Sequence, residues 1–175
     1  MSARPWRGVH GKGSGHPLRA VVQRCRSATV AVDGRTVAAI GLGLCVFAAA
    51  GQGDADADIA YIADKLTHLR IFPAAEGPVG PDEASPRMTA SPLTVGARLL
   101  LVPQFTLYGD VRRGRRPDFT EAAPPEAGRA RLAELAERLR AAGVDLAEGV
   151  FGADMTVHVV NWGPVTILLD SKRGF

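Results

Sequence analysis

The sequence predicts an α+β fold of mostly antiparallel, barrel-like sheets with about two main helices. Short runs rich in β-branched residues are separated by turn-forming dipeptides, and two longer segments carry helical patterns of charge or hydrophobicity. Strands and helices do not alternate regularly, which excludes a simple βαβ layout. The 175 residues, 46% of them hydrophobic and 22% charged, suit one folded domain.

The first elements are predicted to be strands. Residues 18–25 and 28–32 are rich in β-branched residues and lack a helical period. Asp33-Gly34 is typical of a tight hairpin turn, so residues 35–40 are expected to return as the partner strand. Residues 44–49 form an uninterrupted apolar run, which predicts a strand buried on both faces.

A first helix is expected from Asp54 to about Arg70. Aspartates lie in its first turn, and basic residues lie near its end, as the helix dipole favours. The aspartates do not follow the spacing of a calcium loop. Residues 73–97, rich in proline and glycine, are expected to form a long loop or insertion. Residues 98–107 then form an apolar strand that Pro103 interrupts.

A second helix is expected from Pro124-Pro125 to about Ala142. Its apolar residues follow helical spacing, and Gly143 is suited to end it. A basic loop, 109–123, precedes this helix. Short strands at 144–147, 155–161 and 164–169 follow it, with a turn at 148–154. The total is about eight strands and two helices.

The positive charge lies mainly in the N-terminal segment. The chain has 21 basic and 18 acidic residues, giving a net charge of +3, and residues 1–17 hold three basic residues and no acid. We expect residues 1–17 to be a disordered basic extension and residues 18–175 to be a single domain without net charge. The pI of about 9.2 therefore says little about what the domain binds.

Cys25 and Cys45 lie in apolar runs without metal-site spacing, which favours buried thiols in a cytoplasmic protein. The uncharged run from Val37 to Gly53 is shorter than a membrane helix needs, so no membrane association is expected. No serine-hydrolase, zinc-protease or phosphate-loop motif occurs, and neither a metal nor a cofactor is expected. Two unusual proline-containing segments remain, at 102–106 and 161–166.

These segments and several others, in the same order along the chain, resemble the D-aminoacyl-tRNA deacylase family. The resemblance covers residues 18 to about 171. The matching segments are 19–24 (RAVVQR), 63–66 (ADKL), 69–72 (LRIF), 104–108 (QFTLY), 114–117 (GRRP), 119–120 (FT), 122–125 (AAPP), 149–155 (GVFGADM), Asn161 and 163–166 (GPVT).

The resemblance implies a homodimer that hydrolyses aminoacyl-tRNA. Gly163-Pro164 of one subunit, usually joined by a cis peptide, is expected to project into the other subunit's pocket and to exclude L-amino acids. The backbone near Phe105 and Thr106 is expected to hold the ester carbonyl, as an oxyanion hole would. The 2′-hydroxyl of the terminal adenosine is expected to activate the attacking water. The catalytic residues expected from the resemblance are Gln104, Phe105 and Thr106, and Pro103, on the same wall, is expected to take part in chiral selectivity.

The resemblance also implies which residues contact the Gly-Pro element and the tRNA. Arg24 is expected to fix the Gly163-Pro164 loop, although it could instead be a solvated strand residue. Phe151 and Met155 are expected to line the adenosine pocket, or else to belong to the core. A basic cluster is expected to contact phosphates of the tRNA, or else to be a solvated loop. Its members are Arg112, Arg113, Arg115 and Arg116.

Pro103 departs from the usual pattern of the family, which has serine at this position. A related group with relaxed chirality, which admits L-alanyl-tRNA, carries proline there but typically alanine at the position of Phe105. Trp162 is also unusually bulky. The resemblance therefore favours hydrolysis of D-aminoacyl-tRNA, and of glycyl-tRNA. The alternatives are a relaxed deacylase of L-alanyl-tRNA and a non-catalytic homologue that binds nucleic acid.

Overall fold

A computed structural model describes residues 15–74 and 87–174, and within them it contains one sheet of six strands, two α-helices and a 3₁₀ helix. Its architecture is α+β, as predicted. The elements are β1 (Arg19–Val32), β2 (Arg35–Ile40), β3 (Gly43–Ala49), α1 (Asp56–His68), β4 (Arg98–Pro103), the 3₁₀ helix (Phe105–Tyr108), α2 (Pro125–Ala141), β5 (Leu146–Glu148) and β6 (Thr156–Asp170).

The long strand β1 organises the sheet. β6 runs antiparallel along one edge of β1, whereas β2 and β3 follow one another along its other edge, also antiparallel. β4 then pairs with β3, and β5 with β4, both in parallel orientation. The sheet is therefore mixed: the prediction of antiparallel pairing holds for the three ladders of β1 but not for β4 and β5. Parallel neighbours require crossover connections, which α1 and α2 provide.

Three strand predictions need correction. Segments 18–25 and 28–32 form one strand with irregular register on either side of Cys25, and segments 155–161 and 164–169 are both part of β6. The strand expected at 98–107 ends at Pro103 and continues as the 3₁₀ helix. The predicted number of about eight strands is therefore too high, because bulges interrupt pairing locally without ending a strand.

Both predicted helices are present and pack on one face of the sheet. Leu132, Leu135 and Leu139 of α2 are buried there, together with Ile59 and Ile62 of α1. The apolar run of β3 is buried nearly throughout, as expected for a strand covered on both faces. The helices thus cover the apolar face of the central strands, and the ends of β3 and β4 lie close to the start of α2.

A second apolar cluster lies on the other face and includes both cysteines. Cys25 and Cys45 are free and fully buried, as predicted. Burial raises the pKa of Cys45 to about 12, which keeps this thiol protonated and unreactive at neutral pH.

The predicted extension and insertion fall largely outside the described residues. Residues 1–14 and 75–86 are not described, whereas His16, at the end of the predicted extension, donates its backbone N–H to the Gln52 carbonyl at 2.7 Å. No helix of residues 15–74 and 87–174 has the length and hydrophobicity needed to cross a membrane.

Candidate active site

β4 ends at Pro103, and the chain turns directly into the 3₁₀ helix. Gln104 donates its N–H to the Ala48 carbonyl at 2.8 Å, which is the last hydrogen bond to β3. The first N–H groups of a helix have no partner inside it. Those of Phe105 and Thr106 make no hydrogen bond to any described residue. The turn therefore offers two consecutive backbone donors to a ligand.

Two cavities meet at this turn. The larger, about 530 Å³ and bordered by Phe151, is called the Phe151 cavity here. The smaller, about 440 Å³ and bordered by Met155 and Thr106, is called the Met155 cavity. The residues that line both cavities are Pro103, Gln104, Phe105 and Gly152.

The walls of the Phe151 cavity come from segments that are distant in sequence. Its remaining lining residues are mainly small or apolar, and they come from the end of β3, the loop before α2 and the first two turns of α2. They are Ala49, Ala50, Gln52, Phe119, Thr120, Ala122, Ala123, Pro125, Gly128 and Leu132. Residue type alone did not single them out as site residues, because alanine and proline carry no reactive group and only the fold brings them together.

The turn from Gly149 to Met155 separates the two cavities. Gly149 donates its N–H to the Leu101 carbonyl at 2.8 Å, which fixes the turn against β4. The N–H of Val150 lies 3.3 Å from Sδ of Met155, so the methionine folds back onto its own turn. Phe151 and Met155, the two candidates for the adenosine pocket, lie on either side of Gly152 and border the two adjoining cavities, Phe151 the first and Met155 the second.

Phe119 links the Phe151 cavity to the basic loop. Its ring packs edge-to-face against Phe105, with the ring centres 5.2 Å apart, although Phe105 itself is 59% exposed. Phe119 also lines a third cavity of about 410 Å³, whose charged lining residues are Arg113, Arg116, Asp110 and Asp118. Two of the four predicted basic residues thus lie next to the apolar site, while Arg115 is exposed and lines none of these cavities.

Arg112 differs from the rest of the predicted basic cluster because its charge is already paired. It donates hydrogen bonds to both carboxylate oxygens of Asp110 and also lies 3.7 Å from the carboxylate of Glu121. The bonds from Arg112 lower the pKa of Asp110 to about 2, so this pair stays ionised at neutral pH. Arg112 is therefore less available to a phosphate than Arg113 or Arg116.

Gly163 and Pro164 lie in a wide bulge of β6. Asn161 pairs with Cys25 of β1 and Thr166 pairs with Gln23, so residues 162–165 have no partner in this ladder. The Gly163-Pro164 peptide is cis, as expected, and Gly163 has a φ of +134°. The side chain of Asn161 closes the bulge, because its Oδ1 accepts the N–H of Val165 at 2.9 Å.

Arg24 occupies the position on β1 that faces this bulge. Its side chain is 1% exposed, and its guanidinium donates to the carbonyls of Trp162, at 2.9 Å, and Ile71. The Trp162 ring lies between two guanidinium groups, at 4.2 Å from Arg24 and 3.8 Å from Arg26. The alternative of a solvated Arg24 is therefore wrong. Sequence reasoning did not identify Arg26, since an exposed strand arginine has no distinguishing pattern.

The bulge and the two cavities are separate in one chain. Neither Gly163, Pro164 nor Arg24 lines either cavity, whereas Pro103, Gln104, Phe105, Phe151 and Met155 do. The structure thus places the catalytic candidates, Phe151, Met155 and the selectivity candidate Pro103 around one turn, and leaves the other selectivity candidates, Gly163, Pro164 and Arg24, on another part of the chain.

A buried polar cluster lies behind the 3₁₀ helix. Asp54 is 7% exposed and accepts the N–H of Gly51 at 2.7 Å, and burial raises its pKa to about 7. Tyr108, the last residue of the 3₁₀ helix, is 2% exposed, and Arg19 stacks over its ring at 4.6 Å. Arg19 also donates to the Leu107 carbonyl at 3.3 Å. These contacts hold the turn in place from its inner side.

No group of three or more histidine, cysteine or acidic side chains in the described part of the chain is arranged to hold a metal ion. The chemistry that this site offers comes from backbone donors, apolar walls and nearby arginines.

Comparison with known proteins places the chain among aminoacyl-tRNA hydrolases. The family profile for D-Tyr-tRNA(Tyr) deacylase matches residues 21–170. The D-aminoacyl-tRNA deacylase of Heliobacterium modesticaldum is 45% identical over 90% of this chain and 99% of its own length. The solved c-Myc DNA Unwinding Element Binding Protein is 35% identical with a TM-score of 0.75, covering 86% of this chain and 97% of its own. A probable eukaryotic D-amino acid tRNA deacylase, 20% identical with a TM-score of 0.72 over 88% of this chain and 99% of its own, shares the fold.

Proposed function

The chain belongs to the D-Tyr-tRNA(Tyr) deacylase family, and on that premise we propose that it hydrolyses the ester bond of D-aminoacyl-tRNA. The products are a D-amino acid and free tRNA, so the reaction removes wrongly charged tRNA before translation in the cytoplasm. The observation that carries the proposal is the pair of backbone N–H groups of Phe105 and Thr106, which have no partner among the described residues: Phe105 borders both cavities and Thr106 borders the Met155 cavity.

The two cavities suit the 3′ end of a charged tRNA. Each volume lies in the range of about 300–1,000 Å³ that is usual for small-molecule sites. The terminal adenine packs in the more apolar Phe151 cavity, since bases stack on aromatic side chains. The ester then lies at the wall formed by Gln104 and Phe105, and the ribose and aminoacyl group extend toward Met155.

The reaction needs little side-chain chemistry in this arrangement. The N–H groups of Phe105 and Thr106 stabilise the oxyanion that forms when water adds to the ester carbonyl. The carbon–oxygen bond to the ribose then breaks, and the departing ribose oxygen takes a proton. The resemblance assigns activation of the water to the substrate's own 2′-hydroxyl. A threonine nucleophile would need a base, and the residues that line the Met155 cavity with Thr106 include no histidine, lysine or carboxylate.

The proposed enzyme is a homodimer in which the partner subunit's Gly163-Pro164 completes the site. Their separation from the cavities in one chain supports this arrangement. β6, which carries them, also exposes Val160 and Leu168, each more than half exposed, and these apolar side chains are available for contact with a partner subunit. Within this proposal, Arg24 orients the Gly-Pro element that rejects L-amino acids, and Pro103 forms part of the opposite wall.

Deacylation of D-Tyr-tRNA, Gly-tRNA and L-Ala-tRNA tests the proposed substrate range. We expect release of D-tyrosine and glycine, with L-Ala-tRNA hydrolysed far more slowly. Preferential hydrolysis of L-Ala-tRNA would instead support the relaxed alternative, in which Pro103 alters selectivity. Binding of tRNA without hydrolysis of any of the three would support the non-catalytic alternative.

A pair of variants tests the role of the backbone donor directly. Phe105→Pro removes the N–H at the first position of the 3₁₀ helix, where proline is tolerated, whereas Phe105→Ala keeps it. Loss of one oxyanion donor costs about 10²–10³-fold in kcat. We therefore expect the proline variant to be slower than the alanine variant by about that factor. Equal kcat values in the two variants would refute the assignment of this donor.

A further inference from the structure

Arg129, on the second turn of α2, lies at the edge of the Phe151 cavity. Its guanidinium carbon is 4.6 Å from the centre of the Phe151 ring, and the ring borders the cavity. The preceding residue, Gly128, is itself a lining residue. The side chain of Arg129 thus packs on an aromatic wall of the cavity, while the residue as a whole is exposed.

The charge of Arg129 has no acidic partner within the described residues. Two other arginines of α2 are paired: Arg131 with Asp56 and Glu134, and Arg140 with Glu148. Arg129 makes no ion pair or hydrogen bond of this kind there. Stacking on a ring occupies the face of a guanidinium and leaves its N–H donors at the edge available, and that edge suits a phosphate.

The start of α2 adds to the positive potential at the same place. Pro125 and Gly128, from its first turns, line the Phe151 cavity, so the amino end of a 17-residue helix faces this site. The helix dipole there favours an anion, although Glu126 in the first turn partly offsets it. The dipole supports the assignment of an anion subsite, and the geometry of Arg129 carries it.

We propose that Arg129 binds the phosphate on the 5′ side of the nucleoside held in the Phe151 cavity. The inference rests on the proposed function, which places the terminal adenosine of tRNA in that cavity. In a nucleotide the phosphate is one ribose away from the base, so a base packed beside Phe151 leaves its phosphate near the guanidinium that covers the same ring. Arg129 is then a binding residue for the substrate's backbone and takes no part in the chemistry.

The test compares Arg129→Ala with Arg138→Ala on substrates with and without this phosphate. Arg138 is exposed and lies nine residues further along α2, on the opposite face of the helix. With D-Tyr-tRNA we expect Arg129→Ala to raise KM about tenfold, as loss of one charged contact would, with kcat nearly unchanged. For Arg129→Ala, the slope of the logarithm of the tRNA binding constant against the logarithm of the salt concentration should be smaller in magnitude by about 1 than for the wild type.

Short substrates separate phosphate binding from support of the ring. D-Tyrosyl-adenosine without a 5′-phosphate should be hydrolysed equally well by the Arg129→Ala variant and the wild type, whereas its 5′-phosphorylated form should show the increase in KM. An equal increase for both would mean that Arg129 acts through Phe151, and would overturn the proposal. KM values of Arg129→Ala identical to those of Arg138→Ala would also overturn the proposal.

Equilibrium binding keeps this test independent of turnover. The wild type should bind adenosine monophosphate more tightly than adenosine, and Arg129→Ala should lose most of that difference. If the wild type hydrolyses no aminoacyl-tRNA but this pattern is still found, the proposed function fails and the phosphate site stands. If the enzyme is active and the difference persists in the variant, the phosphate site fails alone.

Discussion

Replacing Arg24 by alanine is expected to destabilise the fold by about 2–5 kcal/mol. The wild-type guanidinium donates a buried hydrogen bond to the Ile71 carbonyl and a partly buried one to the Trp162 carbonyl, and bonds from a charged donor contribute about 1.5–3 kcal/mol each. Stacking on Trp162 adds about 1 kcal/mol. Ordering a long arginine side chain costs about 2 kcal/mol of conformational entropy, and the alanine variant avoids this cost.

The matched control is Arg26→Ala. Arg26 stacks on the same Trp162 ring at 3.8 Å but makes no hydrogen bond to a carbonyl among the described residues, and it is exposed. We expect this variant to lose less than about 1 kcal/mol. Arg24→Lys keeps a positive charge but not the planar fork that reaches two carbonyls, so it should fall between the two alanine variants.

Two measurements on the Arg24 variants separate stability from selectivity. Guanidinium chloride unfolding at 25 °C gives the free energies, and the ratio of deacylation rates for D-Tyr-tRNA and L-Tyr-tRNA gives the selectivity. If Arg24 positions the Gly163-Pro164 element, folded Arg24→Lys should hydrolyse L-Tyr-tRNA relatively faster than the wild type does. An Arg24→Ala variant as stable as Arg26→Ala would refute the energetic reasoning, and an unchanged rate ratio in Arg24→Lys would refute the positioning role.

Three further predictions follow from local geometry and charge. Gly163→Ala should lower stability by about 1–3 kcal/mol and sharply reduce deacylation, because φ is +134° and the added Cβ would lie 2.7 Å from Cγ2 of Val165. The control is Gly143→Ala: Gly143 has a φ of +88° but open space around the added Cβ, so this variant should leave deacylation unchanged. Asp54→Asn should become more stable than the wild type as pH rises. Burial raises the pKa of Asp54 to about 7, so the ionised carboxylate destabilises the wild type by up to about 4 kcal/mol above pH 7 and not at all below pH 4. Chemical unfolding of both proteins at pH 5 and pH 8 measures the difference. Arg112→Ala should weaken tRNA binding less than Arg116→Ala in a filter-binding titration, since only Arg112 is already paired with carboxylates.

Helices were predictable from the sequence because their determinants are local. The acidic start and basic end of α1 and the apolar spacing of α2 lie within single segments, and both helices were placed within two residues of their observed ends. Strand boundaries depended on the partner strand instead. The register irregularities around Cys25 and the bulge opposite Arg24 arise where β1 meets β6, and neither segment alone contains that information.

The same difference between local and long-range determinants applies to the candidate site. Motifs predicted that Gln104, Phe105 and Thr106 form one wall, and the structure adds that the chain turns there and leaves two N–H groups without a partner in the described part of the chain. The opposite wall, at the start of α2, consists mainly of alanine, proline and glycine, whose contribution is shape alone. Shape depends on the packing of distant segments, so residue chemistry could not reveal it.

The distribution of charge is compatible with the proposed binding of tRNA, even though residues 18–175 together carry no net charge. The sequence placed four arginines at 112–116, but the structure pairs Arg112 with acidic neighbours and leaves Arg113 and Arg116 beside Phe119. It also places Arg129, which no motif distinguished, against Phe151. Available cations therefore lie next to apolar cavities rather than over a broad surface. A ligand that inserts one nucleoside and presents few phosphates needs only such local charge, because each contact acts at short range and distant charges are screened within about 10 Å. The position of each arginine relative to an aromatic wall is therefore a better guide to the ligand than the pI of the chain.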